Sequence, residues 1–139
     1  TVRRIALNHP GSAQGFRIDD ASGASVAYLT DNELVRGAAG KAALDDLARF
    51  AANTGLLIHD SQYLDSDMPD KYGWGHSVID DVVTLGARAE ARGVVLFHHD
   101  PNRTDDDLDA IKVRAAALLA EQAPEAELCV AFEGQSIEL

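Results

Sequence analysis

The chain has 139 residues, enough for one domain, and at 46% hydrophobic it can bury a core. Its 12 basic and 23 acidic residues give a formal charge of -11, which weighs against any broad contact with a nucleic-acid backbone, because such contacts need clustered Lys and Arg. The single cysteine, Cys129, excludes disulfide stapling and fits a reducing compartment; no run approaches the length of a membrane span and no charged-then-apolar leader is present, so the expected location is cytoplasmic.

The chain opens at Thr1, without Met and directly in strand-like sequence, as expected of an excised or processed piece. Residues 2–8 are rich in strand formers and end at the Pro10-Gly11-Ser12 turn. Gln14 to Asp19 and Ser25 to Leu29 read as a hairpin joined through residues 20–23, with Phe16, Ile18, Val26 and Tyr28 sharing a face. From Lys41 to Asn53 the positions Leu44, Leu47, Ala48 and Ala51 keep helical spacing, and Gly55 is the expected left-handed terminator. Leu56-Leu57-Ile58 then reads as a buried strand. The acidic loop over residues 65–70 lacks the spacing of a calcium-binding EF-hand and reads as solvated. Ser77 is the expected cap of a helix with Asp80 and Asp81 in its first turn and Val82, Leu85 and Ala89 facing inward, closed by Gly93. Val94 to Phe97 is the next strand. Thr104 caps a last helix that opens on Asp105-Asp106-Asp107 and buries Leu108, Ile111, Ala115, Leu118 and Leu119. Glu127 to Phe132, with Cys129 buried in it, and Ser136 to Leu139 are expected as closing strands. Strands alternating with helices, without repeat or linker, make residues 1–139 a single α/β unit.

Four apolar runs spill His or Asp at the same end: Ile5-Ala6-Leu7 into Asn8-His9, Val26 to Leu29 into Thr30-Asp31, Leu56 to Ile58 into His59-Asp60, and Val94 to Phe97 into His98-His99-Asp100. Ligands of open α/β sheets collect beyond the carboxyl ends of strands, and all five histidines fall at strand ends or in loops. Two imidazoles and a carboxylate suffice for one divalent metal with a position left for water, whose pKa the metal lowers enough to give a nucleophile near neutrality. The expected ligands are His9, Asp31 and His98, with Asp31 able to bridge two metals in a binuclear site. His76, in a loop tightened by Gly73 and Gly75, is expected to pair with Asp60, either supporting the ligands from behind or for acid-base work, the carboxylate orienting the imidazole. Roles for His59, His99 and Asp100 stay open. Adjacent strand residues point to opposite faces, so only one of His98 and His99 faces a metal unless the strand has already ended.

Asn8-His9-Pro10-Gly11 with Gly15-Phe16-Arg17-Ile18, then Tyr28-Leu29-Thr30-Asp31, Leu57-Ile58-His59-Asp60-Ser61-Gln62-Tyr63, Gly75-His76-Ser77 and Leu96-Phe97-His98-His99-Asp100-Pro101 together resemble the carboxy-terminal half of a metallo-β-lactamase-fold hydrolase. The nearest branch is the phosphodiesterases that include ribonuclease Z and the cyclic-phosphate phosphodiesterases. The resemblance implies one mixed sheet with helices on its outer face, half of a four-layer αββα sandwich. It implies metal binding through His9, Asp31 and His98, with zinc first and iron or manganese next. It also matches Asp60 and His76 to the acid and His that protonate the leaving group, although Glu is the usual acid. The family's HxHxDH signature, which supplies most ligands from the amino-terminal half, is absent from these residues. The implied activity is therefore metal-dependent hydrolysis, of a phosphodiester before a lactone or thioester, in a parent protein, with a small anionic substrate and an inactive isolated chain. The alternative is a non-catalytic half-domain for assembly or regulation. Either way the bare sheet face needs cover, from the amino-terminal half or from a second copy.

Overall fold

Six strands lie side by side in chain order: β1 (Val2–Ala6), β2 (Gln14–Asp19), β3 (Ser25–Leu29), β4 (Leu56–Asp60), β5 (Gly93–Phe97) and β6 (Glu127–Val130). The computed structural model describes residues 1–37 and 43–139 in full and only the backbone of residues 38–42. Short turns make β1, β2 and β3 an antiparallel meander, and the register sets Phe16 opposite Tyr28 and Ile18 opposite Val26. From β3 onward the pairs are parallel, because each connection crosses over through helical or looped sequence. The helices are α1 (Ala38–Phe50), α2 (Ile79–Arg88) and α3 (Asp105–Gln122). The helix expected from Lys41 begins three residues earlier, at Ala38.

All three helices cover one face of the sheet. Ala27 and Leu29 of β3, Leu57 of β4 and Val94 and Leu96 of β5 are fully buried, packed with Leu47 and Ala51 of the first helix segment, Val82, Val83 and Leu85 of α2, and Ile111, Ala115 and Leu119 of α3. A Cβ on Gly86 would fall 2.3 Å from Cγ2 of Val94, so glycine there lets α2 approach β5 closely. The other face carries Val2, Phe16, Ile18, Tyr28 and Phe97, all exposed. The expected architecture, one mixed sheet with helices on one face, is the observed one.

Several local expectations need correction. Ser77 does not cap α2: Val78 holds the cap position, and Ser77 Oγ donates to the carbonyl of Asn32 and accepts from the N–H of Leu34. Neither Gly55 nor Gly93 supplies the left-handed residue after its helix; Asn53 and Glu90 do, at φ 56° and 52°, and Gly93 already belongs to β5. The last strand ends at Val130, and residues 136–139 pair with no strand. After the turn at Gly134, Gln135 donates to Sγ of the partly exposed Cys129. The cap of α3 is as expected, with Thr104 Oγ1 accepting from Asp107 N–H and the Asp107 carboxylate accepting from Thr104 N–H.

Candidate metal centre

Because β3, β4 and β5 run parallel, their carboxyl ends share one rim, and each ends in a way that delivers a side chain there. Asp31, two residues past β3, and His98, one past β5, both have φ 56°. This left-handed backbone breaks the alternation of the extended chain, so both side chains turn over the rim instead of continuing a face. The strand has indeed ended at His98, which resolves the choice between it and His99. Asp60 is the last residue of β4, opposite Phe97 and fully buried. His76 arrives on the β4–α2 connection, which is stitched shut where Tyr63 pairs with Val78 and Tyr63 N–H donates to the carbonyl of Ser77.

The four side chains meet. Asp31 Oδ1 lies 3.0 Å from His98 Nε2, and Asp60 Oδ2 lies 2.5 Å from His76 Nδ1. One donor atom from each of Asp31, Asp60, His76 and His98 falls within 4.8 Å of every other. Metal–donor bonds of about 2.1 Å place donors on one ion at most about 4.2 Å apart, so a small contraction of this group would seat a divalent cation. Carboxylate and imidazole are also the donor types that zinc, iron and manganese accept. The second oxygen of Asp60 accepts from the N–H groups of Ser77 and Gln62, at 3.2 and 3.4 Å. Those donors hold its carboxylate in place behind His76.

His9 stands beside this group and outside it. Its ring centroid is 5.4 Å from that of His76, and its Nδ1 accepts from the N–H of Gly11 at 3.1 Å, which puts the proton of the neutral ring on Nε2, so ligation through Nε2 requires that hydrogen bond to be given up. Gly75 makes room for it: a Cβ there would fall 2.3 Å from His9 Cδ2, on a backbone with φ 89°. The residues left open by the sequence take other positions. His59 is buried in the core, its Nδ1 donating to the carbonyl of Asp60 at 2.7 Å, and burial lowers its pKa despite that bond and the charge of Asp60. His99 Nε2 donates to the carbonyl of Ala131, and Asp100 closes a turn onto Asn102. Tyr63 stands against the His76 ring, its hydroxyl pKa raised by burial and then by Asp100 and Asp60.

The sequence reading missed the support behind these groups. Glu33 is buried, its two carboxylate oxygens accepting from Gly73 N–H and Gly75 N–H, each at 2.9 Å, so it fixes the loop that aims His76. Asn32 is 1% exposed. Both look like solvent-facing loop residues in the sequence. The one available signal is that Asn32 and Glu33 are squeezed between apolar Leu29 and Leu34, where buried polar groups need partners. A cleft of about 580 Å³ opens beside His98, lined by Phe97, Leu108, Phe132 and Glu133 among others.

No family model matches the chain. Ribonuclease Z from Pyrococcus furiosus and ribonuclease Z from Pyrococcus horikoshii are each 31% identical to it over 80 residues, a stretch covering 57% of this chain and 22% of each relative. The match thus spans about a fifth of the length of these curated relatives. Among solved structures, the metallo-β-lactamase-fold protein YhfI from Bacillus subtilis superposes with a TM-score of 0.74 at 19% identity, over 97% of this chain and 48% of that one. The short form of human tRNase Z superposes with a TM-score of 0.66 at 20% identity, over 99% and 42%. A diphosphatase of the PhnP family gives 0.58 at 17%, over 99% and 43%. The chain therefore has the metallo-β-lactamase fold, aligned over about half the length of these solved chains, and resembles the ribonucleases Z in sequence.

Proposed function

We propose that this chain is the carboxy-terminal half of a metal-dependent hydrolase, most simply of a phosphodiester, whose amino-terminal half with HxHxDH completes the site. The observation that carries the reading is the meeting of Asp31, Asp60, His76 and His98 at one sheet rim. Asp31 and His98 would hold a divalent cation, zinc before iron or manganese, with His9 as third ligand and Asp31 able to bridge a second ion. When bound, such an ion acidifies water into a nucleophile and offsets charge on the substrate. His76, held against the buried Asp60 carboxylate, donates the proton that the departing oxygen requires, and Asp60 stabilises the imidazolium that carries it. The cleft beside His98 gives a small anionic substrate room for its non-reacting part. Lactone and thioester hydrolysis use the same groups on a carbonyl carbon. The similarity to ribonucleases Z and to a PhnP-family diphosphatase supports phosphorus chemistry first.

A second reading rests on the bare apolar face bearing Phe16, Ile18, Tyr28 and Phe97: a non-catalytic half-domain that binds a partner chain or its own copy. Metal analysis separates the two. The hydrolase reading expects near-stoichiometric zinc, iron or manganese, lost on Asp31→Ala, and hydrolysis of an aryl phosphodiester only when the chain is mixed with its amino-terminal half. A metal-free, tightly dimeric chain with no such activity would support the second. No helix among the described residues is long and apolar enough to cross a membrane. The proposed location stays cytoplasmic.

A further inference from the structure

Asn32 spends its side-chain amide and its carbonyl on chain neighbours of site residues. Its Oδ1 accepts from the N–H of Asn8, next to His9, at 2.9 Å. Its Nδ2 meets Nε2 of His59, next to Asp60, at 3.1 Å, and its carbonyl accepts from Oγ of Ser77, next to His76, at 2.5 Å. Asn32 itself follows Asp31. The amide orientation follows from chemistry: Asn8 N–H can only donate, so the oxygen of Asn32 must face it and the nitrogen must face His59. His59 Nε2 is then the acceptor and Nδ1 carries the proton, which is what its bond to the carbonyl of Asp60 requires. One buried amide and one neutral imidazole thus join the segments that carry His9, Asp31 and Asp60, and the backbone carbonyl of Asn32 adds the segment that carries His76.

We propose that Asn32, acting through His59, is the positioning residue that sets the spacing between the carboxyl ends of β3 and β4, and with it the distance from Asp31 to the Asp60–His76 pair. Neither residue touches the reacting atoms. Groups that orient ligands from behind typically change metal affinity about 10–100-fold when removed. The inference rests on the metal-centre reading for one of its two tests.

The first test titrates the chain with cobalt(II) as the sole added metal and follows its visible absorption. N32D keeps the acceptor for Asn8 but sets a carboxylate against the lone pair of His59, and His59→Leu removes both of its hydrogen bonds while filling the volume. Each is expected to lose cobalt affinity by about 10–100-fold. His59→Gln offers an N–H to Asp60 and an oxygen to Asn32 and is expected to stay within about threefold of the parent, as is Leu119→Ala, a core truncation in α3 away from the site. Parent-like cobalt binding in folded N32D and His59→Leu, equal loss in Leu119→Ala, or loss in His59→Gln as large as in His59→Leu would each overturn the proposal. The second test needs no metal: nitrogen-15 spectra of the imidazoles are expected to show shifted His9 and His76 signals in N32D and unchanged ones in Leu119→Ala. Unshifted signals in N32D would overturn it as well. If the parent chain fails to bind cobalt, the metal reading falls, and the imidazole spectra alone decide on Asn32.

Discussion

His76 and His59 show how two imidazoles of one type take opposite parts. His76 faces the rim with a carboxylate at 2.5 Å, whereas His59 lies in the core with an amide on one nitrogen and a carbonyl on the other. If His76 protonates the leaving oxygen, His76→Ala in the assembled two-half protein lowers turnover by about 10²–10⁴-fold on an alkyl phosphodiester. It should cost far less on a p-nitrophenyl ester, whose leaving group needs no proton; equal losses on both would refute the assignment. His59 sets a pH dependence of stability. Burial depresses its folded pKa below the ordinary 6.5, so the unfolded chain takes up the proton first. Its contribution is therefore intact above pH 6.5 and is lost as pH falls from there toward the folded value, with a slope approaching about 1.4 kcal/mol per pH unit. Urea unfolding across that range should show the slope in the parent and a shallower one in His59→Gln. The sequence shows His76 as a loop residue that can pair with Asp60 at the rim, and His59 as a strand-end residue whose place in the core it does not reveal. Those placements depend on Asn32 and Glu33, two loop residues whose burial appears only once Asn8, Gly73 and Gly75 are brought onto them.

At the level of elements, the runs that end in His or Asp fixed β3, β4 and β5 to within a residue or two, since apolar runs of this length bounded by polar residues leave few alternatives. The boundaries that failed were those where a familiar residue had other business: Ser77 satisfies the backbone of residues 32–34, and Gly93 is spent on close strand packing, a Cβ there falling 2.8 Å from Leu56 Cδ1. The loop before α2 offers a test with an internal control. Gly73 and Gly75 both have positive φ, but a Cβ on Gly73 meets nothing within 4 Å, whereas one on Gly75 strikes His9 and Pro10. Gly73→Ala should cost about 1–2 kcal/mol from backbone strain alone and leave the His9 ring in place. Gly75→Ala should cost more and displace that ring, seen as lower unfolding midpoints and a shifted His9 imidazole signal.

For the whole molecule, the division between a covered and a bare sheet face is the dominant fact. The alternation in β2 and β3 puts Phe16, Ile18, Val26 and Tyr28 on one face; that the helices take the opposite one depends on the crossovers, which no local pattern reports. The bare face predicts that the chain on its own associates. Ile18→Lys, at an exposed position opposite Val26, should shift a 14.8 kDa chain toward the monomer in sedimentation and remove the concentration dependence of its melting point, while the fold persists because the core lies on the other side. The left-handed turns at Asp31 and His98 have a consequence of their own. By turning both side chains out over the end of the sheet, they bring His98 against Phe97, a residue of the bare face that also lines the cleft. A substitution at Phe97 would therefore be felt twice, in what settles on the bare face and in what enters the cleft, whereas one at Ile18 would be felt on the bare face alone.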